Sequence, residues 1–104
     1  MTEPAFFVLT ALASGPRHGY GIVGDVSELS DGRVKLKIGS LYGVLDRLVT
    51  EGLVELDREE PENGRLRRYF RITGSGRHTL AAEAQRQAAN AQLATARLAL
   101  GGAS

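Results

Sequence analysis

Between residues 38 and 72 the hydrophobic pattern changes period, from that of a helix to that of a strand, and the chain then turns back on itself. Leu41, Val44, Leu45 and Leu48 recur at i, i+3, i+4 and i+7, the spacing of one apolar stripe along an α-helix. The opposite face of that helix carries Ser40, Gly43, Arg47 and Thr50, with Tyr42 and Asp46 on its flank. Such a face is small and polar enough to enter a DNA groove. Val54 and Leu56 then alternate with Glu55 and Asp57, and Phe70 and Ile72 alternate with Tyr69 and Arg71, the period of half-buried strands. A helix running straight into an arginine-bearing hairpin is the core of a winged helix.

The apolar and charged pairs predict the hairpin's register. A two-residue Asn63-Gly64 loop sets Phe70 opposite Asp57 and Ile72 opposite Glu55, which puts apolar side chains on the same face as carboxylates. A three-residue loop, Glu62-Asn63-Gly64 with Gly64 left-handed, instead pairs Val54 with Ile72 and Leu56 with Phe70. It also sets Glu55 against Arg71 and Glu59 against Arg67, each such pair contributing about 0.2 to 1 kcal/mol. Arg65 at the tip and Arg68 are left without an acidic partner. They are the hairpin's candidates for phosphate or minor-groove contact.

Thr2 is a good N-cap, with Glu3 and Pro4 in the first turn of a helix that is apolar almost all round from Ala5 to Ala13. A helix without a polar face needs cover on more than one side, so a second copy of the chain is expected against it. Ser14-Gly15-Pro16 breaks this helix; a second carries Ile22, Val23, Val26 and Leu29, with Asp31-Gly32 ending it. Tyr20 is expected in the core or an interface. Arg33 to Ile38 reads as a short extended segment that pairs with the hairpin, and Gly52 stops the third helix. After the hairpin, Thr73 caps a long last helix from about Ser75 to Leu100, its first turn weakened by Gly74 and Gly76. Leu80, Ala84, Ala91, Ala94 and Leu98 approach a 4, 3 repeat along it, broken by Gln87. That helix either lies back on its own domain or, the favoured reading, pairs with a partner. Gly101-Gly102 opens a short mobile tail.

With 104 residues the chain reads as one small domain, whose limited core favours self-association. It has no cysteine, hence no disulfide, thiolate metal site or cysteine nucleophile. No apolar run reaches membrane-spanning length and no basic leader precedes one, so a cytoplasmic location without membrane contact is expected. The net charge is only +1, but Arg33, Lys35 and Lys37 precede the leucine helix while Arg65, Arg67, Arg68 and Arg71 line the hairpin. Clusters of this kind are ordinarily just solvated surface; their position beside a recognition helix gives them a second meaning.

His18-Gly19-Tyr20, Gly39-Ser40-Leu41-Tyr42, Leu45-Asp46-Arg47-Leu48, Glu51-Gly52-Leu53 and Gly64-Arg65 through Arg68-Tyr69-Phe70-Arg71-Ile72-Thr73, in that order and spacing, resemble the PadR family of bacterial transcriptional regulators. The resemblance runs from Pro4 into the last helix, and the length is similar to the family's compact subgroup. It implies a winged helix-turn-helix in residues 1–73 and a C-terminal dimerisation helix with its tail in 74–104. It further implies a homodimer on an inverted-repeat operator, usually a repressor, often released by a small hydrophobic or aromatic effector. Carried onto matching positions, Ser40, Tyr42 and Arg47 serve the helix contacts and Arg65 the wing, while Lys35, Lys37 and Arg68 enter on charge. Phe6, Leu9, Leu80, Ala84, Ala91, Ala94 and Leu98 form the expected dimer interface. The chain departs from the family in lacking tryptophan, so the stacking pocket of some compact members does not carry over, and in placing Lys37-Ile38 where a capping serine or threonine is common.

Other chemistry finds little support. His18, beside a helix start with no acid or nucleophile placed for it, reads as structural, and His78 as exposed. Gly19, Gly21 and Gly24 match GxGxxG, but no βαβ unit surrounds them, so the match reads as chance. Asp57, Glu59, Glu60 and Glu62 scatter over both strand faces and do not form a metal set. The expectation is therefore a mainly α protein with a small β-hairpin, no enzyme, no cofactor and no metal, binding double-stranded DNA. The competing reading is a winged-helix dimer that binds protein instead, which the modest net charge would permit.

Overall fold

A computed structural model describes residues 1–102, and within it four helices and three strands follow the order α1 (Glu3–Ala13), β1 (Arg17–His18), α2 (Gly19–Leu29), α3 (Ile38–Thr50), β2 (Val54–Glu62), β3 (Arg65–Ile72) and α4 (Gly74–Gly101). The last two residues of the expected tail lie outside the described residues. Local chemistry sets the boundaries. Thr2 caps α1 by accepting the Ala5 N–H at 3.2 Å, and Thr73 caps α4 by accepting the Gly76 N–H at 3.0 Å. Lys37 precedes α3 without a side-chain cap, and left-handed Gly52 ends the next turn at φ +75°.

The α3 stripe enters the core as its spacing predicts: Leu41 and Leu45 are fully buried, Leu48 nearly so, and Val44 packs at the margin. They meet Val8, Leu9 and Leu12 of α1, Ile22 and Val26 of α2, and Val54, Phe70 and Ile72 of the sheet. Each fully buried side chain of this size contributes about 1.5 to 3 kcal/mol relative to exposure, so this shared core is the main stabilising element of the helices and sheet that meet in it. The fold is a winged helix-turn-helix with one long additional helix.

The sheet order is β1-β3-β2, all antiparallel. Val54 pairs with Ile72, Glu55 with Arg71 and Leu56 with Phe70, the register expected from the apolar pattern. The loop differs. Glu62 pairs with Arg65 around a two-residue Asn63-Gly64 turn, both residues left-handed at φ 52° and 76°. A β-bulge at Asp57 reconciles this loop with the core register: the extra residue in β2 shifts the pairing, so Arg58 faces Tyr69, Glu59 faces Arg68 and Glu60 faces Arg67. The expected Glu59–Arg67 pair is therefore not formed. Leu56 is also more open than expected, at 45% exposure, because it lies where the hairpin leaves the helical core.

The third strand is not Arg33–Ile38. Arg17–His18 takes that edge of β3, pairing with Phe70 and Tyr69. The segment after α2 is instead pinned by fully buried Ser30, whose hydroxyl accepts the Val34 N–H at 2.9 Å and lies 3.3 Å from the Ser27 carbonyl that takes its proton. Gly19, Gly21 and Gly24 all fall inside α2, where no phosphate loop is formed.

α4 docks only by its start. Gly76 is buried against β3 and the loop before β2, Arg77 donates to the Ala13 carbonyl at 3.2 Å, and Leu80 packs on the core. From residue 84 to 101 the helix is exposed throughout, and the molecule extends 65 Å by 27 Å by 21 Å.

Candidate nucleic-acid interface

The burial of Leu41, Leu45 and Leu48 turns the other side of α3 outward, so Ser40, Gly43, Arg47 and Thr50 are all exposed. Lys35 and Lys37, on the segment leading into the helix, are exposed as well. None of Lys35, Lys37 and Arg47 has an ion-pair partner among the described residues.

Tyr42 is half-buried. Its ring stands edge-on to Phe70 with centroids 6.3 Å apart, and its hydroxyl sits so close to α2 that a Cβ on Gly19 would lie 3.0 Å from it. Glycine at 19 lets α2 and α3 approach while the phenol remains at the edge of an open cleft. That cleft, about 710 Å³, lies between the starts of α2 and α3 and the wing, and brings Tyr42 together with Arg65 and Arg68.

Ion pairing sorts the hairpin's arginines. Arg71 bonds Glu55 at 2.7 Å and reaches Asp57 at 3.4 Å, and Arg58 bonds Asp57 and Glu60, each at 2.6 Å, while lying 4.1 Å over the Tyr69 ring. Donating to Glu60, and then to Asp57, raises the Arg58 pKa above its usual range, and donating to Glu55 does the same to Arg71. Arg67 pairs with Glu62 at 3.1 Å. Arg65 and Arg68 have no ion-pair partner among the described residues, as the sequence reading expected, although through a different strand register. The positive charge available to a polyanion is thus concentrated at the wing tip, the α3 face and the segment before it.

Tyr20 and His18 line the cleft and fall outside the sequence-derived set. Tyr20 is 71% exposed and lines the cleft, not the core. The helical period contained the signal: Ile22 and Val26 define the buried face of α2, and Tyr20 lies about 200° around the helix from Ile22. His18 caps α2 through Nδ1 and meets both Arg67 and the Tyr69 ring edge. The structural role expected for it is confirmed, but its two wing contacts are invisible to local pattern.

The expected interface residues divide. Leu9 is fully buried in its own protomer and has no surface to offer a partner. An all-apolar helix cannot reveal which of its faces turns inward. Phe6 is half-buried, Leu80 packs at the core margin, and Ala84, Ala91, Ala94 and Leu98 lie on the exposed length of α4.

An exposed polar helix face, with basic residues leading into it and a wing beside it, defines on this topology a winged-helix module of the kind found in transcriptional regulators. The chain belongs to the transcriptional regulator PadR-like family, whose model matches residues 8–82. Among solved structures, a PadR family transcription regulator from Clostridium difficile is 19% identical with a TM-score of 0.78, covering 93% of this chain and 99% of that one. Bacillus subtilis PadR in complex with operator DNA is 23% identical with a TM-score of 0.66, covering 75% of this chain and 44% of that one. At these identities the likeness is one of fold. A 37.1 kDa protein in transposon TN4556 of Streptomyces fradiae is 46% identical over 86 residues, which is 83% of this chain. The chain spans 23% of that relative's length and 64% of a second relative from Lysinibacillus sphaericus.

Proposed function

We propose that the chain is a homodimeric, sequence-specific DNA-binding regulator, acting as a repressor. The observation that carries this reading is the charge sorting: Arg58 and Arg71 are neutralised by acids and Arg67 is held by Glu62 at Nε alone, while Arg47, Arg65, Arg68, Lys35 and Lys37 have no ion pair among the described residues. In this reading α3 enters the major groove, where Ser40 and Arg47 reach base edges, and Arg65 and Arg68 take backbone phosphates. The operator-bound state of the Bacillus subtilis neighbour supports the same use of the fold.

Residues 1–73 would then read DNA and 74–104 dimerise. Leu93, Leu98 and Leu100 are 71%, 74% and 76% exposed in one protomer, and a helix stretch left uncovered from residue 84 draws little stability from its own domain. Pairing along Ala84, Ala91, Ala94 and Leu98 supplies that cover. Release by a small effector would act beside half-buried Phe6 and Phe7, whose rings meet edge-on at 5.4 Å next to a groove of about 330 Å³ between α1 and α4. Glu83 and Arg86 line the same groove, so a ligand with both an apolar body and a polar group suits it better than a hydrocarbon.

Selection of bound duplexes from random DNA by the full chain tests the function. The expected product is an inverted repeat with half-sites about 10 bp apart, or a multiple of that turn. Recovery of no enriched sequence, with no salt-dependent duplex binding, would leave the winged helix as a protein-binding module.

A further inference from the structure

His18 faces more donors than it can accept from. Its Nδ1 accepts the Gly21 N–H at 3.2 Å, and its Nε2 lies 2.9 Å from Arg67 Nη1. A guanidinium only donates, and a neutral imidazole has one acceptor nitrogen. His18 therefore satisfies either Gly21 or Arg67. When Nδ1 caps α2, the ring proton sits on Nε2, and two N–H groups face each other across 2.9 Å. An oxygen acceptor placed against both would complete the arrangement.

The surroundings suit a negatively charged acceptor. The pair borders the cleft of about 710 Å³, within the roughly 300 to 1,000 Å³ typical of ligand sites. Three arginines and one glutamate line it, a surplus of two positive charges, and Glu62 is engaged at Arg67 Nε, leaving Nη1 turned to the ring. Arg65 and Arg68 enter the cleft without an ion pair among the described residues, and Tyr42 borders it.

We propose that this cleft is a phosphate-binding subsite in which one phosphate oxygen accepts from His18 Nε2–H and Arg67 Nη1–H together. Occupancy selects the tautomer that also caps α2, so phosphate binding and the ordering of the helix-turn-helix are coupled. The phosphate comes from a DNA backbone if the function proposed above holds, and from a free phosphate compound otherwise.

The test uses the full chain labelled with ¹⁵N, its ring signals assigned with His78→Gln, and titrates inorganic phosphate and a duplex carrying the selected repeat. With the duplex, His18 is expected to carry its proton on Nε2, with Nδ1 bare. His18→Asn keeps a strong helix cap but loses the second ring nitrogen. It should melt close to the wild type and bind the duplex about ten-fold more weakly with an unchanged salt slope, since a neutral ring releases no counterion. Arg67→Gln removes a charge without touching the cap and should flatten the slope by about one unit. A His18 response to phosphate alone supports the subsite while refuting its DNA source. Ring signals unmoved by both ligands, or both variants binding duplex as tightly as the wild type, overturn the proposal.

Discussion

Gly76 and Gly74 sit two residues apart in the first turn of α4, and replacing each with alanine should move stability in opposite directions. A glycine in a helix costs about 0.5 to 1 kcal/mol relative to alanine, so propensity alone makes both substitutions favourable. At Gly74 nothing lies within 4 Å of a built Cβ, and the gain should appear, at most about 1 kcal/mol at this terminal position. At Gly76 the Cβ would stand 2.1 Å from the Leu53 carbonyl oxygen and 2.7 Å from Ile72 Cγ1. That carbonyl already accepts the Thr73 N–H at 3.0 Å, and Thr73 Oγ1 donates to the Gly52 carbonyl at 2.7 Å, so the backbone is held on both sides of the contact. The helix must move off the hairpin. Overpacking of this kind costs about 1 to 3 kcal/mol, and a clash with a pinned backbone carbonyl lies in the upper half of that range, leaving Gly76→Ala a net loss of about 1 to 2 kcal/mol after the propensity gain. In a domain of this size that lowers Tm by about 5 to 15 °C. Thermal melts followed by circular dichroism, at matched protomer concentration because association shifts Tm, measure both variants. A Gly76→Ala protein that melts at or above the wild type would refute the close-approach argument.

Ser30→Ala should cost about 1 to 3 kcal/mol, read by urea unfolding, because it strands the buried Val34 N–H now bonded at 2.9 Å; a midpoint unchanged from wild type contradicts this. The Glu83 carboxyl, held down first by the hydrogen bond from Arg86 and then by that from Gln87, should titrate at about 2 against an ordinary 4.5 in carboxyl-carbon NMR. Its folded pKa is depressed, so its contribution is present above 4.5 and is lost as pH falls toward 2; with the Arg86 partner exposed, it should weaken with salt. A titration near 4.5 would show that the Arg86 contact does not persist in solution. Leu98→Asp places a charge on the α4 surface proposed to pair, and sedimentation at micromolar concentration should find a wild-type dimer and a monomeric variant; a dimeric variant removes Leu98 from the interface.

Legibility followed the length of each pattern. The α3 stripe and the pairs Val54–Ile72 and Leu56–Phe70 repeat often enough to fix a face, and they placed α3 and the core end of the hairpin correctly. The far end of the hairpin did not follow, because a bulge breaks the period. Its trace is present in the run Asp57, Arg58, Glu59, Glu60, where β2 stops alternating while β3 continues. Two residues, Arg17 and His18, are too few to show any period, so the third strand had no local signature. Leu9 and Gly76 fail for a related reason. An all-apolar helix does not say which side turns inward, and a glycine's neighbours across the fold are not written beside it. Arg65 and Arg68 carry no ion pair among the described residues, as expected, but not for the expected reason: Glu62 and Glu59 stand opposite them, and Glu62 turns to Arg67 instead.

The central claim is that one surface reads sequence with α3 and holds backbone with the wing. Fluorescence anisotropy of Arg47→Ala and Arg65→Ala against the selected operator and a scrambled duplex, at several salt concentrations, tests it most directly. Arg47→Ala should narrow the gap between the two duplexes by about 1 to 3 kcal/mol, and Arg65→Ala should weaken both alike while flattening the salt slope by about one unit. Unchanged affinity and slope in both variants would contradict the account and remove this face from DNA binding.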